Sequence, residues 1–160
     1  MNVWHACLDV EALPSPIWKN GGMSTSPNVR SLWADHALAL FRVVAGIVFI
    51  SVGTMKVLGW PHGPALMPPM PLLSQMGIGG LMESVGGVFI VLGLFTRPVA
   101  FLLSGEMAVA YFQFHAPQSL YPTVNQGMPA ILYCLFFFYL VFAGPGAWSV
   151  DGAMKGRSSR

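Results

Sequence analysis

Four ionisable side chains stand inside stretches otherwise fit for lipid: Arg42 and Lys56 in "LFRVVAGIVFISVGTMKVLG", Glu83 in "LMESVGGVFIVLGLFTRP", and Glu106 in "FLLSGEMAVAYF". A charge at membrane depth costs roughly a few kcal/mol unless it is neutralised, paired or turned toward water. Two cations and two carboxylates can lock helix register as ion pairs, or they can line a polar pocket for a small molecule or a proton. His115 and Asn125 extend such a polar interior toward the outer side.

Helical periodicity decides where these groups point, because residues three and four apart share a face. Arg42, Gly46, Phe49, Gly53 and Lys56 form one stripe. Gly79, Glu83, Gly86 and Gly93 form a second, and Val99, Leu103, Glu106, Ala110 and Gln113 a third. Small residues mark close helix contacts in membranes, so the charges on these stripes face the bundle and not the lipid. Counted from the inner membrane edge at 1.5 Å per residue, Arg42 lies ~8 Å deep, Glu106 ~12 Å, Glu83 ~18 Å and Lys56 ~28 Å. Long basic side chains shift their charge by several ångströms, which makes Arg42 with Glu106 and Lys56 with Glu83 the easiest pairs. Arg42 with Glu83 is a third pairing the depths allow.

The elements that must position these groups follow from composition. Of 160 residues, 54% are hydrophobic and 9% charged, and the mean hydropathy of +0.61 is that of an integral membrane protein. At about 20 residues per span, the apolar stretches run over Ala37–Leu58, Met76–Phe95, Pro98–Phe114 and Gly127–Ala143. The expected fold is an all-α, four-helix membrane bundle over residues 35–148, with tails at 1–34 and 149–160. The first 30 residues carry Asp9, Glu11, Pro14 and Pro16 and lack the apolar run of a signal peptide.

Lys19, Arg30, Arg97, Lys155, Arg157 and Arg160 all fall in the tails or the second loop, while the first and third loops hold no Lys or Arg. The positive-inside rule puts both termini in the cytoplasm. The net charge of +2 and this placement indicate orientation and give no nucleic-acid surface. Cys7 and Cys134 form no CxxC motif. His62, Met67, Met70, Met76 and His115 offer ligand types suited to Cu(I), but their spacing is irregular, and no metal site is assigned.

Three blocks, "LFRVVAGIVFISVGTMKVLG", "ESVGGVFIVLGLFTRPVA" and "NQGMPAILYCLFFFYLVFAGPGAWSVD", resemble in order the blocks of the DoxX family of small four-helix bacterial membrane proteins. The resemblance covers about residues 38–151 and carries over to Arg42, Lys56, Glu83, Asn125 and Asp151. Pro129 stands where an acidic residue often follows Asn-x-Gly, so that acid's role is absent here. The resemblance implies an inner-membrane protein that works with an oxidoreductase. A quinone or another small molecule between the helices is the expected ligand, and no covalent cofactor is expected. An apolar slot near Lys56 or Arg42, amid Phe49, Phe89 and Tyr111, would suit such a ligand. No haem, flavin or iron–sulfur motif is read, so electrons would pass through a partner. The alternative is a non-catalytic accessory subunit of a larger respiratory or photosynthetic complex. Arg42, Lys56, Glu83, Glu106, His115 and Asn125 are the candidate ligand-binding residues.

Overall fold

The computed structural model describes residues 29–62 and 69–158. The N-terminal segment with Cys7 and Lys19, the loop residues Pro64, Met67 and Pro68, the side chains of Arg30 and Arg157, and Arg160 lie outside the described residues. The described residues are all-helical: α1 Val29–Leu58, α2 Gln75–Leu92, α3 Thr96–Ala110 continued by a π-helical turn Tyr111–His115, α4 Met128–Ala143 and a short α5 Val150–Ser158. Leu32–Leu58 and Gln75–Leu92 are long and apolar enough to cross a membrane, and α4 is a shorter apolar helix.

α1 begins well before the apolar stretch at Ala37, because its first turns find partners. The Asp35 carbonyl accepts the Ala147 N–H at 3.2 Å, and the His36 ring meets Trp148 edge-on at 5.1 Å. α2 ends three residues before Phe95. There Gly93, at φ +64°, closes it with paired bonds from Leu94 N–H to the Phe89 carbonyl (3.0 Å) and from Gly93 N–H to the Ile90 carbonyl (3.2 Å). At its start, the Ser74 hydroxyl caps α2 by accepting the Gly77 N–H at 3.1 Å.

The helices pack in two close pairs, α1 on α2 and α3 on α4, with a sparser seam between α2 and α3. Gly46 and Gly53 of α1 face Gly80 and Gly87 of α2, so that the two backbones touch. A Cβ on Gly53 would lie 2.6 Å from the Gly80 carbonyl oxygen, and one on Gly87 3.0 Å from that of Gly46. The expected α2 stripe faces α3, and a second set of glycines off that stripe faces α1. Gly80 and Gly87 meet α1, Gly86 meets Leu103 of α3, and Gly79 opens toward Glu106. The core is aromatic and aliphatic, with Phe49 against Phe137 (4.9 Å) and Tyr133 (5.1 Å) and with Ile90, Leu103 and Leu140 sealed around them. Large apolar side chains cover the outside, Phe41 being 68% exposed and Leu132 62%. Water would not tolerate that surface, but lipid does.

A methyl group at Gly87 should therefore destabilise the protein by about 1–3 kcal/mol through overpacking. Gly105 faces open space, so Gly105→Ala should be neutral or gain up to ~1 kcal/mol of helix propensity. Thermal unfolding in mild detergent checks this, and equal stability of the two variants would contradict the backbone contact.

Candidate functional site

The candidate residues separate into two clusters at opposite ends of the bundle. Arg42 is fully buried. Its Nε donates to the Pro145 carbonyl at 2.8 Å, its Nη1 to the carbonyls of Ile90 and, at 2.7 Å, Val91, and its Nη2 to that of Trp148 at 3.0 Å. Ile90 and Val91 close the last turn of α2, where unpaired carbonyls concentrate negative charge. Asp151 of α5 completes this end. Its Oδ1 accepts the Phe95 N–H (2.9 Å) and its Oδ2 the Thr96 N–H (2.8 Å), while its own N–H donates to the Gly93 carbonyl (3.0 Å). Phe95 begins α3 at φ +47° without a capping side chain of its own, so the cap comes from Asp151. Partial burial opposes the Asp151 charge. The hydrogen bonds at Thr96 and Phe95, with Lys155 nearby, outweigh that and hold the carboxyl below its usual range.

Arg42 is accordingly a tie between α1, the end of α2 and the α4–α5 loop. The expected Arg42–Glu106 and Arg42–Glu83 pairs do not form, because backbone carbonyls occupy the guanidinium. The expected Lys56–Glu83 pair does form. Lys56 Nζ lies 2.6 Å from Glu83 Oε1, with the Glu83 side chain 2% exposed and the Lys56 side chain 25%. Glu106 joins this pair. Glu83 stands nine residues before the end of α2 and Glu106 ten after the start of α3, so the tight α2–α3 turn brings them to similar height.

Lys56, Glu83, Glu106 and His115 line one cavity of about 420 Å³ between α2 and α3, walled by Met82, Met107 and Phe114 among others. Gln75 donates to Gln113, joining the start of α2 to the π-helical turn at the end of the cavity away from Arg42. Oε2 of Glu83 and Oε2 of Glu106 are shielded from solvent and have no hydrogen-bond partner among the described residues. His115 Nδ1 lies 2.9 Å from the Asn125 carbonyl. A carbonyl only accepts, so Nδ1 carries the proton, and Nε2 of the neutral ring is an acceptor. The cavity is therefore rich in acceptors, with one ammonium already engaged.

Asn125 does not line it. Its Oδ1 accepts the Gly127 N–H and its Nδ2 donates to the Ser119 carbonyl, both at 2.7 Å, so the side chain shapes the turn into α4. The aromatic set Phe49, Phe89 and Tyr111 is not brought together either. Phe49 is in the core, Phe89 lines a separate groove, and Tyr111 stacks toward His115 at 6.4 Å. Among the described residues no group of three or more His, Cys, Asp or Glu could hold a metal ion. Gln75, whose only sequence signal is its place at the start of an apolar helix, was not foreseen.

An all-helical bundle whose outer surface is covered by large apolar side chains has the build of a membrane protein. The DoxX family model matches residues 37–116, and the chain belongs to the DoxX family. It is 42% identical over 127 residues to an uncharacterised protein of Haemophilus influenzae, covering 74% of this chain and 91% of that one. It is 27% identical to the inner membrane protein YqjF of Escherichia coli over 73% of this chain and 91% of YqjF. It is 28% identical to the inner membrane protein YphA of that organism, over 71% of this chain and 87% of YphA. No solved structure matches significantly. The chain is a bacterial inner-membrane protein.

Lys56 and Glu83 should behave as one unit. Lys56→Met or Glu83→Gln alone should cost about 3–5 kcal/mol of a buried pair broken on one side, and the double variant less than the sum. Strictly additive losses of thermal stability would show that the two charges are not coupled.

Proposed function

We propose that the protein crosses the inner membrane four times with both termini inside, and that its α2–α3 cavity binds the head group of a lipid-soluble quinol on behalf of an oxidoreductase partner. Two features support the four-pass arrangement. α3 and its π-helical turn together run from Thr96 to His115, long enough to span a bilayer core. Arg97 and Lys155 also line one groove at the Arg42 end, and basic residues gathered at one end are what the positive-inside rule expects of a cytoplasmic end.

The observation that carries the ligand reading is the pair of buried, unpartnered carboxylate oxygens. A buried acceptor left without a donor costs about 1–3 kcal/mol, more when charged. A register lock leaves that cost standing, whereas a ligand bringing O–H donors removes it. The reduced hydroquinone ring has two hydroxyl donors and a flat apolar body suited to walls of Met and Phe. Its oxidised form has only acceptors and would leave Glu83 and Glu106 unmet. In this reading Glu106 receives a hydroxyl hydrogen bond, Lys56 holds Glu83 in place, and His115 Nε2 offers a second acceptor at the outer end. Electrons belong to the partner.

Decyl-benzoquinol should raise the melting temperature of detergent-purified protein. A hundredfold excess over Kd corresponds to about 2.7 kcal/mol of stabilisation. The oxidised decyl-benzoquinone should give a smaller shift. Glu106→Gln, which keeps the shape of the side chain, should lose most of the quinol shift while its ligand-free melting temperature stays near wild type. If neither form shifts wild-type protein at saturation, the ligand reading fails, and a non-catalytic accessory role in a larger complex takes its place.

A further inference from the structure

A second groove lies on the same α2–α3 seam. It is apolar, holds about 350 Å³, and is lined by Met82, Val85, Gly86, Phe89, Leu102 and Leu103 among others. Met82 also lines the polar cavity, so the two spaces adjoin along one helix. Glycine at position 86 keeps its floor low, since a Cβ there would meet Leu103 at 2.7 Å. Val85 and Leu102, on opposite helices, are about half exposed at its rim.

We infer that this groove is where the hydrocarbon tail of the cavity's ligand lies, and that the ligand enters sideways from the bilayer through the α2–α3 seam. The inference rests on the ligand reading above and names its class: an amphiphile with a donor-bearing head and a flexible apolar chain. From Met82 to Phe89 the groove runs about 10 Å along α2, at 1.5 Å per residue. It runs from the polar cavity toward the Arg42 end, so a head seated by Glu106 would lay its tail along α2 in that direction. The seam is also the more loosely packed side of α2, with side chains and not backbone in contact, and rotamer changes can widen it. The tail gains little net hydrophobic energy by leaving lipid for protein. Its part is placement, and tail position is therefore a better readout than affinity.

The test uses a benzoquinol carrying a decyl chain with a terminal diazirine, photolysed with the full chain in phospholipid vesicles. The adducts are then mapped by mass spectrometry. Adducts are expected on Val85, Phe89 and Leu102, and excess tailless benzoquinol should abolish them. Leu102→Trp, or Val85→Trp from the facing helix, should remove most of this labelling by filling the groove. Leu132→Trp, on the lipid-facing side of α4, should not. Both tryptophans replace side chains that already face outward, and the unlabelled quinol shift reports that each variant is folded. Competed adducts elsewhere, such as on Leu120 and Val124 before α4, would overturn the groove while leaving the cavity reading intact. Labelling that tailless quinol does not compete would overturn both.

Discussion

A guanidinium sealed from solvent inside a small bundle has to find an acceptor for its donors, and Arg42 finds four carbonyls. Two end α2 and two belong to the chain that follows α4. α1 cannot slide along α2 or rotate away from the α4–α5 loop without stranding a buried charge, which costs several kcal/mol. The "GL-TRP" turn and the "GPGAWSVD" segment are parts of the same knot. Gly93 closes α2, Gly146 at φ +68° turns the loop back over α1, and Asp151 caps α3. A motif that reads as scattered punctuation along the sequence is thus one structural joint.

With one end fixed by Arg42, the other is free to be imperfect. Lys56 answers only one oxygen of Glu83, and Glu106 adds a second carboxylate with no second cation beside it. A purely structural design would place an arginine there, whose fork can satisfy both carboxylates, as Arg42 does for carbonyls at the other end. The lysine leaves Glu83 Oε2 and Glu106 Oε2 without a hydrogen-bond partner among the described residues. That difference between the ends separates the scaffold from the candidate site.

Much of this was legible from residue spacing. The helices and their order followed from apolar length, and the inward direction of the charges from three- and four-residue spacing. The Lys56–Glu83 pair followed from depth. Arg42 was misassigned because carbonyl acceptors have no letter in a sequence: each residue carries one, and only the fold shows which are left unpaired. Glu106 was misplaced because its depth was counted from Pro98 and that of Glu83 from Phe95, whereas both are better counted from the turn between α2 and α3. The stripe of Gly79, Glu83 and Gly86 was legible as one inward face, whereas Gly80 and Gly87, about 100° further round and against α1, were not read. Asn125 showed its buried position through its neighbours but not its use, since an Asn-x-Gly turn and a ligand-binding amide look alike until partners are seen.

On the proposed reading, the cavity of Lys56, Glu83, Glu106 and His115 is occupied in the cell and Arg42 serves only to tie the helices. Native mass spectrometry of the protein released gently from its own membrane measures this most directly. The account expects a stoichiometric adduct with the mass of a membrane quinone or quinol, strongly reduced in Glu106→Gln at equal folded yield. An undiminished adduct in Glu106→Gln, or none on wild-type protein that retains its bound phospholipids, would contradict it.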